Sequence, residues 1–254
     1  MNIRYRFHIK ILFAIIFFLS AKFSFAQDSV LNKYGLWIIK SVNILHSTVI
    51  SNADKQMIDL KKLIPNISFD LKYATDDNFM HQTLYPHITT TYLRWPAVKA
   101  LQLIQRELNA KGLSLKIFDA YRPYSITEKM WEPIKDDRYV ADPKKGSGHN
   151  RGIAVDLTII NLKTKKELTM GTGFDNFSDT AHQSFTALPE EVLQNKILLK
   201  TIMEKYGFTP LDTEWWHYSL PNAKNFELLD IPFKALKKYT KKIHSGSFST
   251  YLSH

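Results

Sequence analysis

Hydrophobic and polar positions alternate between two periods along this chain, and each period predicts a different element. Ile67 to Tyr73 alternates apolar and polar side chains, the period of a half-buried strand. From Pro96 the spacing changes to about 3.6 residues, with Val98, Leu101, Ile104, Gln105 and Leu108 on one stripe. Pro96 suits a first helical turn and Gly112 a residue just past the end, so a helix is expected between them. Leu113 to Phe118 reads as a strand that runs into Asp119-Ala120-Tyr121-Arg122-Pro123. Ser125 is placed to cap a following helix carrying Met130 and Trp131. Asp142 to Gly148 is a loop, Ile153 to Ile160 a buried strand and Asn161 to Lys166 a polar turn. A second long helix is expected from about Pro189 to Tyr206, closed by Gly207, with a last strand from Trp215 to Leu220. Strands separated by unequal helices and turns predict an α+β fold: a single domain with a largely antiparallel central sheet flanked by helices.

The ends of the chain have a different pattern. Arg4, Arg6 and Lys10 precede an unbroken apolar run from Ile11 to Leu19, and Ser24-Phe25-Ala26 puts small residues where a signal peptidase reads. The run is shorter than the roughly 20 residues of a membrane span. We therefore expect residues 1–26 to be a cleaved signal peptide and Gln27 to begin a periplasmic or secreted protein with no stable membrane anchor. An uncleaved anchor is the alternative. Residues 27–66 are expected to be an N-terminal extension, 67–232 the domain that carries the chemistry, and 233–254 a basic tail with five lysines between Lys234 and Lys242.

Charge and cysteine content narrow the function classes. Of 34 Lys and Arg, the leader removes Arg4, Arg6, Lys10 and Lys22, and 30 minus 24 acidic residues leaves +6. No block of five or six like charges is present, and a nucleic-acid partner is not expected. With no cysteine there are no disulfides and no thiolates, so a metal site must use His and carboxylates.

Two short segments meet that demand: Ser147-Gly148-His149-Asn150-Arg151-Gly152-Ile153-Ala154-Val155-Asp156 and Glu214-Trp215-Trp216-His217. His149, Asp156 and His217 make a three-ligand set that leaves Zn²⁺ an open position for water. Glu214 is the carboxylate that could serve as general base. Residues seven apart point to opposite faces of a strand, so His149 must come from the loop and Asp156 from the strand, with Gly148 and Gly152 turning the chain between them. By the same argument Glu214 belongs to irregular backbone leading into the strand that bears His217. Any single His is more often a hydrogen-bonded structural residue. Asp156 between Val155 and Leu157 is harder to explain that way, because a buried carboxylate costs several kcal/mol unless paired or metal-bound. Arg122 reads either as a surface ion pair or as a fixed cation for the oxyanion of a tetrahedral intermediate. Asp175 reads either as a turn cap or as a partner for a substrate ammonium.

At these residues the chain resembles the D-alanyl-D-alanine dipeptidases, zinc peptidases related to the D-Ala-D-Ala carboxypeptidases and the hedgehog-type zinc fold. The resemblance runs from about Phe69 to Tyr218. It rests on Asp70-Leu71-Lys72-Tyr73-Ala74-Thr75 with Asn78-Phe79, on Asp119 to Pro123, on Ser147-Gly148-His149 through Asp156, on Met170 to Asp175, and on Gly207-Phe208 leading to Glu214-Trp215-Trp216-His217-Tyr218. It implies one zinc ion on His149, Asp156 and His217, Glu214 as base, and Arg122 at the oxyanion. It also implies Tyr73, Tyr85, Ser147 and Asp175 around the charged termini of a D-Ala-D-Ala substrate. Gly148 stands where relatives often carry Ser or Arg. The expected activity is hydrolysis of that dipeptide in peptidoglycan metabolism or recycling. The alternatives are a carboxypeptidase or endopeptidase on longer muropeptides, and a zinc-stabilised wall-binding module without turnover.

Overall fold

The computed structural model describes residues 29–242, so the expected leader and the last twelve residues lie outside it. In chain order the strands are β1 (Ser29–Leu31), β2 (Trp37–Ile39), β3 (Met57–Asp59), β4 (Ser68–Phe69), β5 (Tyr92–Arg94), β6 (Leu113–Asp119), β7 (Ala154–Asn161), β8 (Thr209–Leu211), β9 (Glu214–Ser219) and β10 (Leu228–Leu229). The α-helices are α1 (Val42–Ser51), α2 (Leu60–Leu63), α3 (Trp95–Ala110), α4 (Tyr124–Ile134), α5 (Gly148–Arg151), α6 (Glu190–Lys205) and α7 (Phe233–Lys242).

The central sheet has the order β4-β6-β7-β9-β8, and within it β4 and β6 alone run parallel. The α+β expectation with a largely antiparallel sheet holds. Its middle strand, β7, is buried from Ala154 to Ile160: Val155, Leu157 and Ile159 give one face to the core, and the other carries the buried polar side chains Asp156 and Thr158. α3 covers one face, and its stripe of Val98, Leu101, Ile104 and Leu108 is fully buried there. Gln105 lies within the same stripe and is satisfied by β6: it accepts from the Leu115 N–H at 3.0 Å and donates to Ser114 Oγ at 2.8 Å. Gly112 and Gly207 both take left-handed backbone just past α3 and α6, as expected for C′ glycines.

Two expectations of local structure are corrected. The strand predicted for Ile67 to Tyr73 is paired only at Ser68–Phe69. Beyond it the chain turns at Lys72–Ala74, because the Asn78 amide gathers the carbonyls of Lys72, Thr75 and Gln82. Ser125 does not cap α4; it lies inside the first turn, where its N–H and hydroxyl both donate to Asp230 Oδ1, and Pro123 takes the cap position. The basic segment from residue 233 is a helix as far as 242. α7 buries Phe233, Leu236, Tyr239 and Thr240 and leaves its lysines to solvent. The N-terminal stretch is likewise woven in: β3 pairs with β5, β2 pairs with β10, and Ile58, Leu60 and Ile64 join the main core. Among the described residues no helix is long and apolar enough to cross a membrane.

Candidate active site

Three neighbouring strands place one acidic or imidazole side chain each at the same level. β6 ends on Asp119, which pairs with Asp156 on β7, and Asp156 pairs directly with His217 on β9. Directly opposed residues project to the same face of a sheet, and a shift in the β6–β7 register between Ile117 and Asp119 is what sets Asp119 opposite Asp156, so the three come together. His149 arrives from above on α5, a single turn with Ser147 as N-cap and a reciprocal Ser147–Asn150 capping box. Gly152 ends that turn in left-handed backbone, and a Cβ there would lie 2.9 Å from Met57 Sδ. At Gly148 a Cβ would meet Ala154 Cβ and Ser219 Oγ, each at 2.8 Å. The glycine at 148 is therefore demanded by the close approach of α5 to a cross-strand pair. From behind, the fully buried Arg94 ties α5 down by donating to the Arg151 carbonyl at 3.0 Å and to the carbonyl of Lys55.

The expectation for the two glycines is thus met in part: Gly152 turns the chain, whereas Gly148 supplies space, and His149 sits on a helical turn instead of a loop. Its Nδ1 lies 2.7 Å from the Ala120 carbonyl, which can only accept, so Nδ1 carries the proton. Nε2 is left as a lone-pair donor, 3.2 Å from His217 Nδ1 and 3.4 Å from Asp156 Oδ2. His217 Nδ1 in turn lies 2.9 Å from Asp156 Oδ1. Among the described residues this is the one group of three such donors, with ligand atoms within 4.8 Å of one another. Burial pushes the Asp156 carboxyl up, but the two imidazoles outweigh it and hold the group well below the ordinary carboxylate range. Burial also lowers His217, against the pull of Asp156. An ionised carboxylate and two imidazole nitrogens, one of them freed by its partner carbonyl, are the protonation states a divalent metal requires. The residues fit the implied ion.

Glu214 stands beside this group, its Oε2 3.9 Å from His217 Nδ1. A regular strand would turn it away. The β8–β9 ladder breaks between Pro210 and Leu211, however, so Pro210 faces Tyr218 while Leu211 faces Glu214. The expectation is corrected in its place: Glu214 is the first residue of β9 itself, not of irregular backbone before it, and the irregularity lies in its pairing with β8. Burial raises the Glu214 carboxyl well above its ordinary range, and the charges of Asp156 and Asp175 add to the effect.

Arg122 is buried, not a surface ion pair. Its Nε and one terminal nitrogen both donate to Asp119 Oδ2, at 3.0 and 2.8 Å, and the latter is also 3.8 Å from Asp156 Oδ2. The guanidinium lies over the Tyr73 ring at 5.1 Å. Asp119 was quoted in the sequence motif without a role. The structure makes it the residue that aims Arg122, and its i, i+3 spacing from Arg122 was the available signal. Burial raises the Asp119 carboxyl, and Arg122 partly offsets the shift.

Asp175 takes left-handed backbone with φ 59°. It accepts from the Tyr73 hydroxyl at 2.9 Å and from the Phe79 N–H at 3.2 Å. Burial pushes it up to about 7 despite both donors. Tyr73, Arg122, Ser147, His149, Asp156, Asp175, Glu214 and His217 all line one pocket of about 230 Å³. Tyr85 does not. It is buried behind Asp119 and donates its hydroxyl to Asp119 Oδ1 at 3.0 Å, so its contact is with the group that holds Arg122.

The site matches known proteins along most of the chain. A family described as D-ala-D-ala dipeptidase matches residues 53–238. The D-alanyl-D-alanine dipeptidase of Escherichia coli (strain K12) is 35% identical over 174 residues, 68% of this chain and 89% of that protein. The D-alanyl-D-alanine dipeptidase of Enterococcus faecalis (strain ATCC 700802 / V583) is 30% identical over 180 residues, 63% of this chain and 89% of that protein. Among solved structures, the LdcB LD-carboxypeptidase aligns with a TM-score of 0.38 and 21% identity, over 73% of this chain and 77% of that one.

Proposed function

The chain belongs to the D-alanyl-D-alanine dipeptidase family, and from that premise we propose that it hydrolyses D-alanyl-D-alanine to two D-alanines with zinc held by His149, Asp156 and His217. One observation carries the reading most directly: the cross-strand pair Asp156–His217 meets His149 Nε2 with Glu214 alongside, within a pocket the size of a small peptide. Bound there, zinc would polarise the peptide carbonyl and lower the pKa of the attacking water.

The protein's own groups do the rest. A Glu214 oxygen takes a proton from the water as it attacks the carbonyl carbon. Its raised affinity for that proton suits transfer near neutral pH. As the C–N bond breaks, Glu214 passes the proton to the departing amine. Arg122, fixed by Asp119, faces the charge that develops on the carbonyl oxygen. Asp175, oriented by Tyr73 and the Phe79 N–H, receives the substrate ammonium, and Ser147 lines the same pocket. The basic n-region and apolar run at the N-terminus support a reaction outside the cytoplasm, in the periplasm or after secretion.

The test is metal removal and return. Stripping the protein with a chelator should abolish amine release from D-Ala-D-Ala, and one equivalent of Zn²⁺ should restore it. Free dipeptide should be cleaved in preference to a D-Ala-D-Ala-terminated pentapeptide. Zinc-loaded protein that releases no amine from either would leave a binding module; preference for the pentapeptide would make it a carboxypeptidase.

A further inference from the structure

The pocket has a wall that the reaction does not use. Phe79 and Tyr139 both line it, yet they come from segments 60 residues apart in sequence. Phe177 joins them from outside the lining. Its ring lies 4.9 Å from Tyr139 in a near-parallel stack and 5.2 Å from Phe79. Phe79 continues the series to Tyr73 at 6.3 Å, edge to face. The Tyr139 segment is also held from the far side, where Thr213 Oγ1 donates to the Arg138 carbonyl at 2.9 Å. Three loops that share no strand pairing are thus bridged across one end of the pocket.

That end is defined by Asp175. The Phe79 N–H is hydrogen-bonded to its carboxylate, and Phe177 follows it by two residues. A substrate whose ammonium reaches Asp175 would therefore have the aromatic bridge directly beyond its first residue. An acyl group on that nitrogen would remove the positive charge that Asp175 favours, and it would also need space the bridge occupies. The volume of about 230 Å³ is below the roughly 300–1,000 Å³ of pockets that take drug-sized ligands.

We propose that Phe79, Phe177 and Tyr139 form a length-determining barrier at the amino end of the pocket, restricting the substrate to peptides with a free amino group on the residue before the scissile bond. The proposal rests on the placement of the substrate ammonium at Asp175. It assigns selection to three rings that need no part in catalysis, and it accounts for a dipeptide being chosen over a longer peptide with the same two terminal residues.

The test measures binding, so that it does not depend on turnover. In full-length zinc-loaded protein carrying Glu214→Gln, calorimetry compares D-Ala-D-Ala with N-acetyl-D-Ala-D-Ala. Adding Tyr139→Ala should shift the affinity ratio about tenfold toward the acetylated peptide, the order expected from losing a stacked ring pair and opening the space behind it. Tyr139→Phe keeps the stack and should leave the ratio where it was. Phe177→Leu, a milder change that keeps apolar volume, should give an intermediate shift. A ratio unchanged by Tyr139→Ala and Phe177→Leu, or no binding of either peptide to any variant, overturns the barrier. Loss of hydrolysis in protein without these rim changes, with the binding ratio still responding to them, would refute the dipeptidase reading and leave the barrier standing.

Discussion

The floor and the rim of the pocket are held by different forces. On the floor, Asp119, Asp156 and His217 form one row across β6, β7 and β9, each placed by a backbone ladder. A slip of one residue would turn Asp156 to the other face, so the arrangement is held as tightly as the sheet itself. On the rim, Phe79, Tyr139 and Phe177 stand on three loops and are joined by ring contacts and one hydroxyl bond. Such contacts contribute about 0.5–1.5 kcal/mol each beyond their buried area. Chemistry is thus tied to the cooperative part of the fold, and substrate choice to contacts that single substitutions can change. Changes on the floor should cost turnover; changes on the rim should alter selection.

The largest effect is expected at Glu214. Replacing it with Ala removes the proton carrier while leaving the ligand row intact. Turnover of D-Ala-D-Ala should fall by roughly 10²- to 10⁴-fold, the range for a lost general acid–base. Zinc content measured by atomic absorption should equal that of the unaltered protein. Near-normal turnover would remove Glu214 from the base's role, whereas loss of zinc would show that the floor depends on it structurally.

The same division explains what the sequence revealed. Floor residues lie on or beside regular elements, whose periods are visible in the pattern of Leu113 to Phe118 and Ile153 to Ile160. The opposed directions of His149 and Asp156, and of Glu214 and His217, implied irregularities, which the structure contains at α5 and, for Glu214, in the β8–β9 pairing instead of before β9. Asp119 stands in the sequence motif three residues before Arg122, but that spacing shows only that the two can meet, not that the carboxylate aims the guanidinium into the site. Tyr85 was placed at the substrate from resemblance, yet its ring lies one layer deeper, against Asp119. Rim residues left no periodic trace. Phe177 and Tyr139 are 38 positions apart, and only the tertiary fold stacks them. The integration of residues 29–66 and of the apolar side of α7 was also hidden, because strands of three residues and a lysine-rich helix show little pattern of their own.

A smaller effect is expected at Asp175, where floor and rim meet. An ordinary Asp in the unfolded chain ionises near 3.9, whereas this one is pushed up to about 7. Between those values the folded protein holds a proton that the unfolded chain has released. The group's contribution to stability is therefore full at acid pH and is lost as pH rises from about 4 to about 7. Asp175→Asn cannot ionise, so its urea-denaturation midpoint should lack that decline. Ammonium binding has the opposite preference, since it needs the carboxylate. KM for D-Ala-D-Ala should fall as pH rises through 7 in the unaltered protein. In the Asn variant it should be flat and roughly tenfold higher, the lower end for a lost charge-assisted bond. A KM without pH dependence in the unaltered protein would place the ammonium elsewhere.

The smallest effect, and the one that probes how rigid the floor is, belongs to Gly148. A Cβ at this position would lie 2.8 Å from Ala154 Cβ and 2.8 Å from Ser219 Oγ. Those two residues are paired across β7 and β9, two positions from the Asp156–His217 pair. Ser219 Oγ can swing aside about its Cα–Cβ bond, but Ala154 Cβ cannot retreat without disturbing the ladder that sets the metal donors, so the strain of Gly148→Ser must be taken up by α5 and His149. Overpacking of this kind costs about 1–3 kcal/mol, which for a domain of this size lowers Tm by about 2–12 °C. Zinc affinity should weaken together with Tm, because His149 moves while Asp156 and His217 stay. Adding Ser219→Gly removes one of the two close contacts and should recover part of both losses. If Gly148→Ser melts with the unaltered protein and binds zinc equally well, α5 is free to shift, and the floor would owe its geometry to the metal more than to the sheet.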